Sequence, residues 1–505
     1  MPLLRQTSLL GNTSRSMRSR HLMMIAIGGT IGTGIFLSAG SSIALAGPGS
    51  ALLSYVIVGI FVYAVVISLG EMASFIPVSG AFSVFGTRFV SDAMGFTLGW
   101  CYWLQWYISS ELTAAAIILQ YWTPKLQAWE WAIIIIIPVF ALQLIHVRVY
   151  GESEYWLALI KVLLVVLFII VGLIWDWGGV KGHPGPGLSN FQNGQAFVGG
   201  FSAFAQTFVY AFFSFGGVEL VAVAAGESEN PHKSVPRAIK ATFTRITLFY
   251  ILTILTIGLC INYKDPTLLN AAYDSDVAAS PLTVVFVRAG FKPASHVVNA
   301  VLLTAVLSAA NSCFYAIPAL LASLATGCLT FLTTIWGQGV VFTWLLNLTG
   351  ISALLVWGSI GVVSLRFRLA YRAQGRSLRD LPYTQPLFPL LPITVIILAV
   401  LMFIAEGYAA VKQTPFSPKN IVATYIGVAL YVLFYGGYVI YERLYLKPRR
   451  PHFVPLLQVD LVTDAVWQEG EGDQVREKDR QQELAKRESR GLKKSFVWSI
   501  FRHIY

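Results

Sequence analysis

Four ionisable side chains sit inside apolar runs of this 505-residue chain: Glu71 in LGEMASFIPVSGAF, Glu111 in WYISSELTAAA, Lys161 in ALIKVLLVV and Glu219 in FFSFGGVEL. A charge at bilayer depth is costly, so each such residue is a functional candidate, and proton exchange and cation binding are the chemistry these types support. Glu111 lies well inside its run, where a desolvated carboxyl can hold and exchange a proton. Glu219 directly follows a Gly-Gly pair, where it either faces a substrate ammonium or steadies the break beside it. Lys161 stands a turn or two from one end of its run and could snorkel to the interface. Glu71 lies near a helix end, where a structural role competes with a gating one.

Two glycine-rich interruptions accompany these charges. The uncharged run MMIAIGGTIGTGIFLSAG carries Gly28, Gly29, Gly32 and Gly34, and the run around Ser214 carries Gly216 and Gly217. Each glycine costs a helix interior about 1 kcal/mol relative to alanine, so both segments are expected to unwind at mid-membrane. Unwinding over Gly28 to Gly34 leaves N–H groups at the start of a half-helix, a partial positive end that suits a carboxylate. Unwinding over Ser214 to Gly217 leaves carbonyls that suit an ammonium group. A zwitterionic α-amino acid satisfies both. Close packing of helices through small residues is the competing account, since Gly28 and Gly32 also form a GxxxG pattern. Two breaks five spans apart favour the substrate account.

The elements that must position these residues are membrane spans. Hydrophobic residues make up 56% of the chain and charged residues 12%, far from the mixture of a soluble domain. Crossing the hydrocarbon takes about 20 apolar residues. Runs of that kind lie near 22–45, 52–76, 94–121, 131–147, 155–174, 197–223, 243–261, 297–316, 319–336, 340–365, 387–408 and 421–441, giving twelve expected spans. The net charge of +11 is spread over short segments between the runs, which reports orientation in a bilayer and gives no sign of nucleic-acid binding. ESENPHKSVPRAIK, RFRLAYRAQGRSLR and YERLYLKPRRPH all follow even-numbered spans, so both termini are expected in the cytoplasm. Cys101, Cys260, Cys313 and Cys328 fall within apolar runs without metal-ligand or disulfide spacing and read as small core residues. No GxxxxGK[ST] loop is present, which argues against ATP-driven pumping. Neither a nucleophile motif nor a metal cluster appears at membrane depth, so no enzyme and no cofactor is expected.

IGGTIGTGIF, LGEMASFIPVSGAF, SFGGVELVAVAAGESENPHKSVPRAI and SLRFRLAYRAQGRSLRDLPY together resemble the amino-acid permeases of the amino acid–polyamine–organocation superfamily, most of all their fungal plasma-membrane branch. The resemblance runs over roughly residues 20–445. It implies an all-α fold of twelve transmembrane helices, a five-plus-five inverted repeat of leucine-transporter type with two extra helices, and uptake of amino acids driven by protons. The expected organisation is a cytoplasmic tail (1–21), a permease domain (22–445; repeats about 22–174 and 197–365, extra helices about 387–441) and a cytoplasmic tail (446–505), partly helical and touching the membrane surface.

Residue by residue, the resemblance makes Gly28, Thr30, Gly32, Thr33 and Gly34 the carboxylate-binding break. It makes Ser214, Phe215, Gly216, Gly217 and Glu219 the opposing amino-group break, with Phe215 a gate over the substrate. Lys161 matches a fifth-span lysine that stands in for a sodium ion in proton-coupled relatives, Glu111 matches an acidic residue tied to substrate or proton handling, and Ser308, Asn311 and Ser312 face the core. Ubiquitin-dependent endocytic machinery is implied on the tails; no lysine precedes Lys125, so its acceptor is expected in the C-terminal tail. The chain departs from the family where NSCFYA runs straight into IPALLASLATG. About thirty residues of the family pattern are missing at Ala316/Ile317, which opens the alternative of a permease inactivated by the shortening; the other alternative is a non-transporting amino-acid receptor of the same fold.

Overall fold

The computed structural model describes residues 23–24, 31–106, 108–143, 147–180, 182, 184–228, 230–273, 280–291, 293–316, 320–412, 418–446 and 452–489. Gly28, Thr30 and the junction residue Ile317 lie outside them. The secondary-structure elements of the described residues are all helices, with no strand among them. The longer helices are α1 (Ala39–Phe75), α2 (Asp92–Gln105), α3 (Ile108–Gln120), α4 (Ala128–Gln143), α5 (Val147–Asp176), α6 (Gly200–Phe215), α7 (Pro231–Arg245), α8 (Ala294–Ala316), α9 (Gln338–Ala373), α10 (Leu390–Lys412), α11 (Pro418–Tyr445) and α12 (Glu471–Ser489).

Eight helical segments among the described residues are long and apolar enough to cross a membrane. The difference from the expected twelve has identifiable causes. The first two expected spans meet within α1, which changes direction at Gly47 (φ 81°, ψ 162°) before Pro48. A Cβ at Gly47 would also meet the carbonyl oxygens of Gln195 and Ala196 at 2.6 and 2.7 Å, so glycine is required there twice over. The third expected span is split into α2 and α3 around Trp106 (φ −106°, ψ 48°). The fourth and ninth are represented by the shorter apolar helices Ala128–Ala141 and Leu324–Trp336.

Burial separates inner helices from outer ones. In the segment Gly200–Glu227, which carries the second glycine break, 83% of the most apolar stretch is buried, against 6% for Ile421–Tyr445. The inner helices are joined by aromatic contacts: Phe61 of α1 meets Phe212 of α6 edge-on at 5.7 Å, and Trp357 of α9 lies 6.0 Å from Phe212. Such pairs add about 1 kcal/mol each beyond their buried area. Cys101, Cys260 and Cys313 are buried as expected of core residues, whereas Cys328 is exposed.

Glu71 links α1 to α9 and to the segment that follows it. It is ion-paired with Arg368 of α9, and its carboxylate accepts from the backbone N–H of Gln385 at 3.0 Å and from Gln385 Nε2 at 3.1 Å. The segment after α11 also ties to the bundle. Arg88 donates to the Thr463 carbonyl at 2.7 Å and to Asp464 Oδ2 at 3.0 Å, Val466 N–H donates to the Phe75 carbonyl at 2.9 Å, and the buried Trp467 donates through Nε1 to the Asp380 carbonyl. The expected tail helix is present as α12, but the stretch before it docks on protein.

Candidate functional site

Both glycine-rich segments are interrupted. On the first, Ile31 and Gly32 are non-helical, and a wide π-type turn over Gly34–Ser38 leads into α1. A helix that starts here presents first-turn N–H groups without intrahelical partners, and π-type turns mark functional positions disproportionately. On the second, α6 stops at Phe215, Gly216 takes φ −47°, ψ 139°, Gly217 takes φ 86°, and helix resumes at Leu220.

The two interruptions touch. A Cβ on Gly34 would collide with the Ser214 Cα and would lie 2.8 Å from its N and 2.9 Å from its Oγ. Ser214 is fixed in turn: its Oγ donates to the Tyr210 carbonyl at 2.8 Å and lies 2.7 Å from the Tyr55 hydroxyl. Between the segments opens a cavity of about 550 Å³, counted to its open mouth, with Gly32, Thr33, Gly34, Ser214, Gly216 and Gly217 in its wall.

The third-span break completes the wall. Gln105, Trp106, Ser110 and Glu111 line the cavity. Glu111 Oε1 accepts from Thr33 Oγ1 at 3.1 Å, while Oε2 has no protein partner. Gln105 Nε2 donates to Glu219 Oε1 at 2.8 Å, so Glu219 reaches the cavity edge through Gln105 without lining it. Among the described residues the wall contains no lysine or arginine, and Glu111 is the one acid. The site thus offers a helix start, a helix end, one carboxyl and several aromatic faces.

The family described as Amino acid permease matches residues 21–326 and 317–448. This chain belongs to it. The permease is 42% identical over 454 residues to the lysine-specific permease LysP of Escherichia coli, a match spanning 84% of this chain and 93% of that one. It is 36% identical over 462 residues to the general amino-acid permease GAP2 of Candida albicans, covering 85% and 78%. Among solved structures, a point mutant of the manganese transporter of Eremococcus coleocola superposes with a TM-score of 0.52 at 15% identity, over 84% of this chain and 94% of that one; the likeness is one of fold alone.

Phe215 differs from its expected place in the permease. It does not line the cavity but is fully buried, its ring stacked on Tyr250 at 4.2 Å and 6.0 Å from Tyr55. Phe212, Phe213 and Ser214 at the end of α6 line the cavity, and Phe215, the last residue of the helix, turns behind them toward Tyr250. Lys161 is likewise off the cavity wall. It is fully buried and donates to Ser308 Oγ of α8 at 2.7 Å. The neighbouring Asn311 and Ser312 on α8 are also buried.

Gln105, Trp106, Tyr55, Tyr250, Glu154 and Arg245 are site or near-site residues that the sequence reading did not single out. Glu154 had a usable signal, standing seven residues before Lys161 and so two turns along the same helix face. The expected fifth span began one residue too late to include it.

Proposed function

We propose that this permease is a secondary transporter that imports an amino acid across the plasma membrane together with a proton. The substrate carboxylate sits at the helix start by Gly32, Thr33 and Gly34, and its ammonium at the end of α6 by Ser214, Gly216 and Gly217. Gly28 and Thr30 belong to the same carboxylate break, Glu219 backs the ammonium side through Gln105, and Glu111 and Lys161 carry the coupled proton. Rocking of the broken helices against the remaining bundle, with two repeats of about 22–174 and 197–365 and both termini in the cytoplasm, alternates access.

The observation that supports this most is the backbone contact of Gly34 with Ser214 beside the cavity, because it sets two helix ends of opposite polarity around one small volume. The wall also bears on substrate class. One acid and no base favours neutral or cationic side chains and disfavours a second carboxylate, which would face Glu111 unpaired. Identity to a lysine-specific permease makes lysine the first substrate to test. The test is uptake of radiolabelled lysine, leucine and glutamate into cells lacking their own permeases, with and without a protonophore. Lysine accumulation abolished by the protonophore is the expected result; accumulation that survives it would remove proton coupling.

A second reading has its own support. The two stretches of the family match both contain 317–326, as expected of a chain in which an internal family segment is missing. On this reading the chain binds substrate without moving it, as a shortened permease or a receptor. Inserting a segment of family length between Ala316 and Ile317 separates the two: uptake gained by insertion identifies a shortened permease, and uptake already present in the natural chain excludes both.

A further inference from the structure

The permease holds a second buried polar cluster, apart from the cavity. Glu154 and Lys161, both on α5, are completely buried, and Ser308 of α8, also fully buried, lies between them. Lys161 Nζ donates to Ser308 Oγ at 2.7 Å, and Ser308 Oγ donates to Glu154 Oε1 at 2.5 Å. The direct Lys161 to Glu154 contact is longer, at 3.5 Å. Glu154 Oε2 has no partner. The charged groups that act on Lys161 are Glu154 on its own helix, Arg245 of α7 and Glu111 of α3.

Three properties of this cluster go beyond a structural ion pair. Its donors run in one sense, ammonium to hydroxyl to carboxylate, which is the polarity a proton needs in order to pass from Lys161 to Glu154. Its two ends lie at different depths. Glu154 is about 10 Å nearer the N-terminal end of α5 than Lys161, at 1.5 Å per residue, and stands two turns in from Val147, where that helix begins. Its other oxygen, Oε2, has no hydrogen-bond partner among the described residues, so Glu154 joins the cluster through Oε1 alone.

We propose that Ser308 and Glu154 form the exit limb of the proton path, taking the coupled proton from Lys161 toward the cytoplasm; this assignment rests on the proton-symport reading above. In the transfer, the Lys161 ammonium gives a proton to Ser308 Oγ while the Ser308 hydroxyl proton passes to Glu154 Oε1. The products are a neutral amine, an unchanged alcohol and a neutral carboxylic acid, so an ion pair becomes two neutral groups with no net change in charge. Glu154 then releases that proton to water at the cytoplasmic end of the span and returns to the carboxylate. Lys161 is recharged from the cavity side, where the wall residue Glu111 also acts on it.

The test is made on the full chain in proteoliposomes, with radiolabelled lysine, comparing wild type, Glu154→Gln, Glu154→Asp and Ser308→Ala. Two modes are measured: accumulation driven by an imposed pH gradient, and counterflow exchange with lysine on both sides and no gradient. Coupling free energies of this kind are worth about tenfold or more, so Glu154→Gln and Ser308→Ala should lose gradient-driven accumulation by about that factor while still exchanging lysine, and Glu154→Asp should recover it. Gradient-driven accumulation by Glu154→Gln equal to wild type would overturn the assignment alone. Equal loss of accumulation and exchange in both Glu154→Gln and Ser308→Ala, with each protein still stabilised by lysine in a thermal-unfolding assay, would make the cluster a structural brace and also overturn it. A wild-type chain whose accumulation ignores the gradient would remove the symport reading and this assignment together.

Discussion

Gly34 and Ser214 meet backbone to backbone, so closely that a single methyl group on Gly34 would occupy the space of the Ser214 Cα. The two helix interruptions are therefore one structural unit, and the glycine at position 34 is demanded by contact with the opposite break. Gly34→Ala should push the breaks apart and lower lysine uptake by at least about tenfold, since displacements near 1 Å at a reacting or binding centre cost that much or more. Gly436→Ala is the matched control, because a Cβ there meets nothing within 4 Å; it should leave uptake unchanged. Initial-rate uptake at equal surface expression distinguishes them, and equal rates for Gly34→Ala and wild type would count against the shared unit.

The place of Phe215 behind the cavity leads to a different expectation for neighbouring aromatics. Phe215 is fully buried against Tyr250, so Phe215→Ala should act on stability, by about 3–5 kcal/mol for a fully buried ring. Phe213 lines the cavity and meets Phe342 edge-on at 6.0 Å. Phe213→Ala should act on substrate affinity, raising KM with a smaller loss of Tm. Thermal unfolding and concentration-dependent uptake of both variants decide the matter; a Phe215→Ala protein of unchanged Tm and altered KM would return that ring to the substrate.

Glu71 and Arg368 tie the C-terminal ends of α1 and α9 together with Gln385 from the segment that follows α9. Glu71→Ala leaves a guanidinium buried without its carboxylate, and breaking such a pair costs about 3–5 kcal/mol. Glu71→Gln retains shape and hydrogen bonding and should lose less. The order of Tm values, wild type above Gln above Ala, is the check, and a charge-only role in gating would instead leave all three alike.

The sequence made the glycine interruptions readable because glycine is costly in a helix and has few other reasons to cluster at mid-membrane. Gly47-Pro48 was readable as a boundary for the same reason. The break at Trp106 was not, because YWLQWYISS contains no glycine or proline, and helix ends imposed by packing and a cavity leave no local signature. Glu154 was obscured by where the apolar run was taken to begin, although its register with Lys161 was visible. Docking of the C-terminal segment was hidden for a further reason: Thr463, Val466, Phe75 and Asp380 contribute through backbone groups, which every residue type possesses.

That docked segment is sensitive to acid at a defined point. Asp460 Oδ1 accepts from the N–H groups of Val462 and Thr463 at 3.0 and 2.9 Å. Burial alone would raise its pKa, but the hydrogen bonds from Thr463 and Val462, with Arg88 nearby, outweigh this and hold it below the usual aspartate value. A depressed pKa means the carboxylate form is favoured by folding, so its contribution is fully present above the unfolded value, about 3.9, and is lost as pH falls through the folded one. Docking should therefore be constant from neutral pH down to about 5 and weaken only below the ordinary aspartate range. Hydrogen exchange of the Val462 and Thr463 amides, corrected for intrinsic rates, reads this directly. Asp460→Asn should show faster exchange already at neutral pH and a flatter acid limb, whereas protection lost between pH 7 and 6 in the wild type would assign the sensitivity to another group.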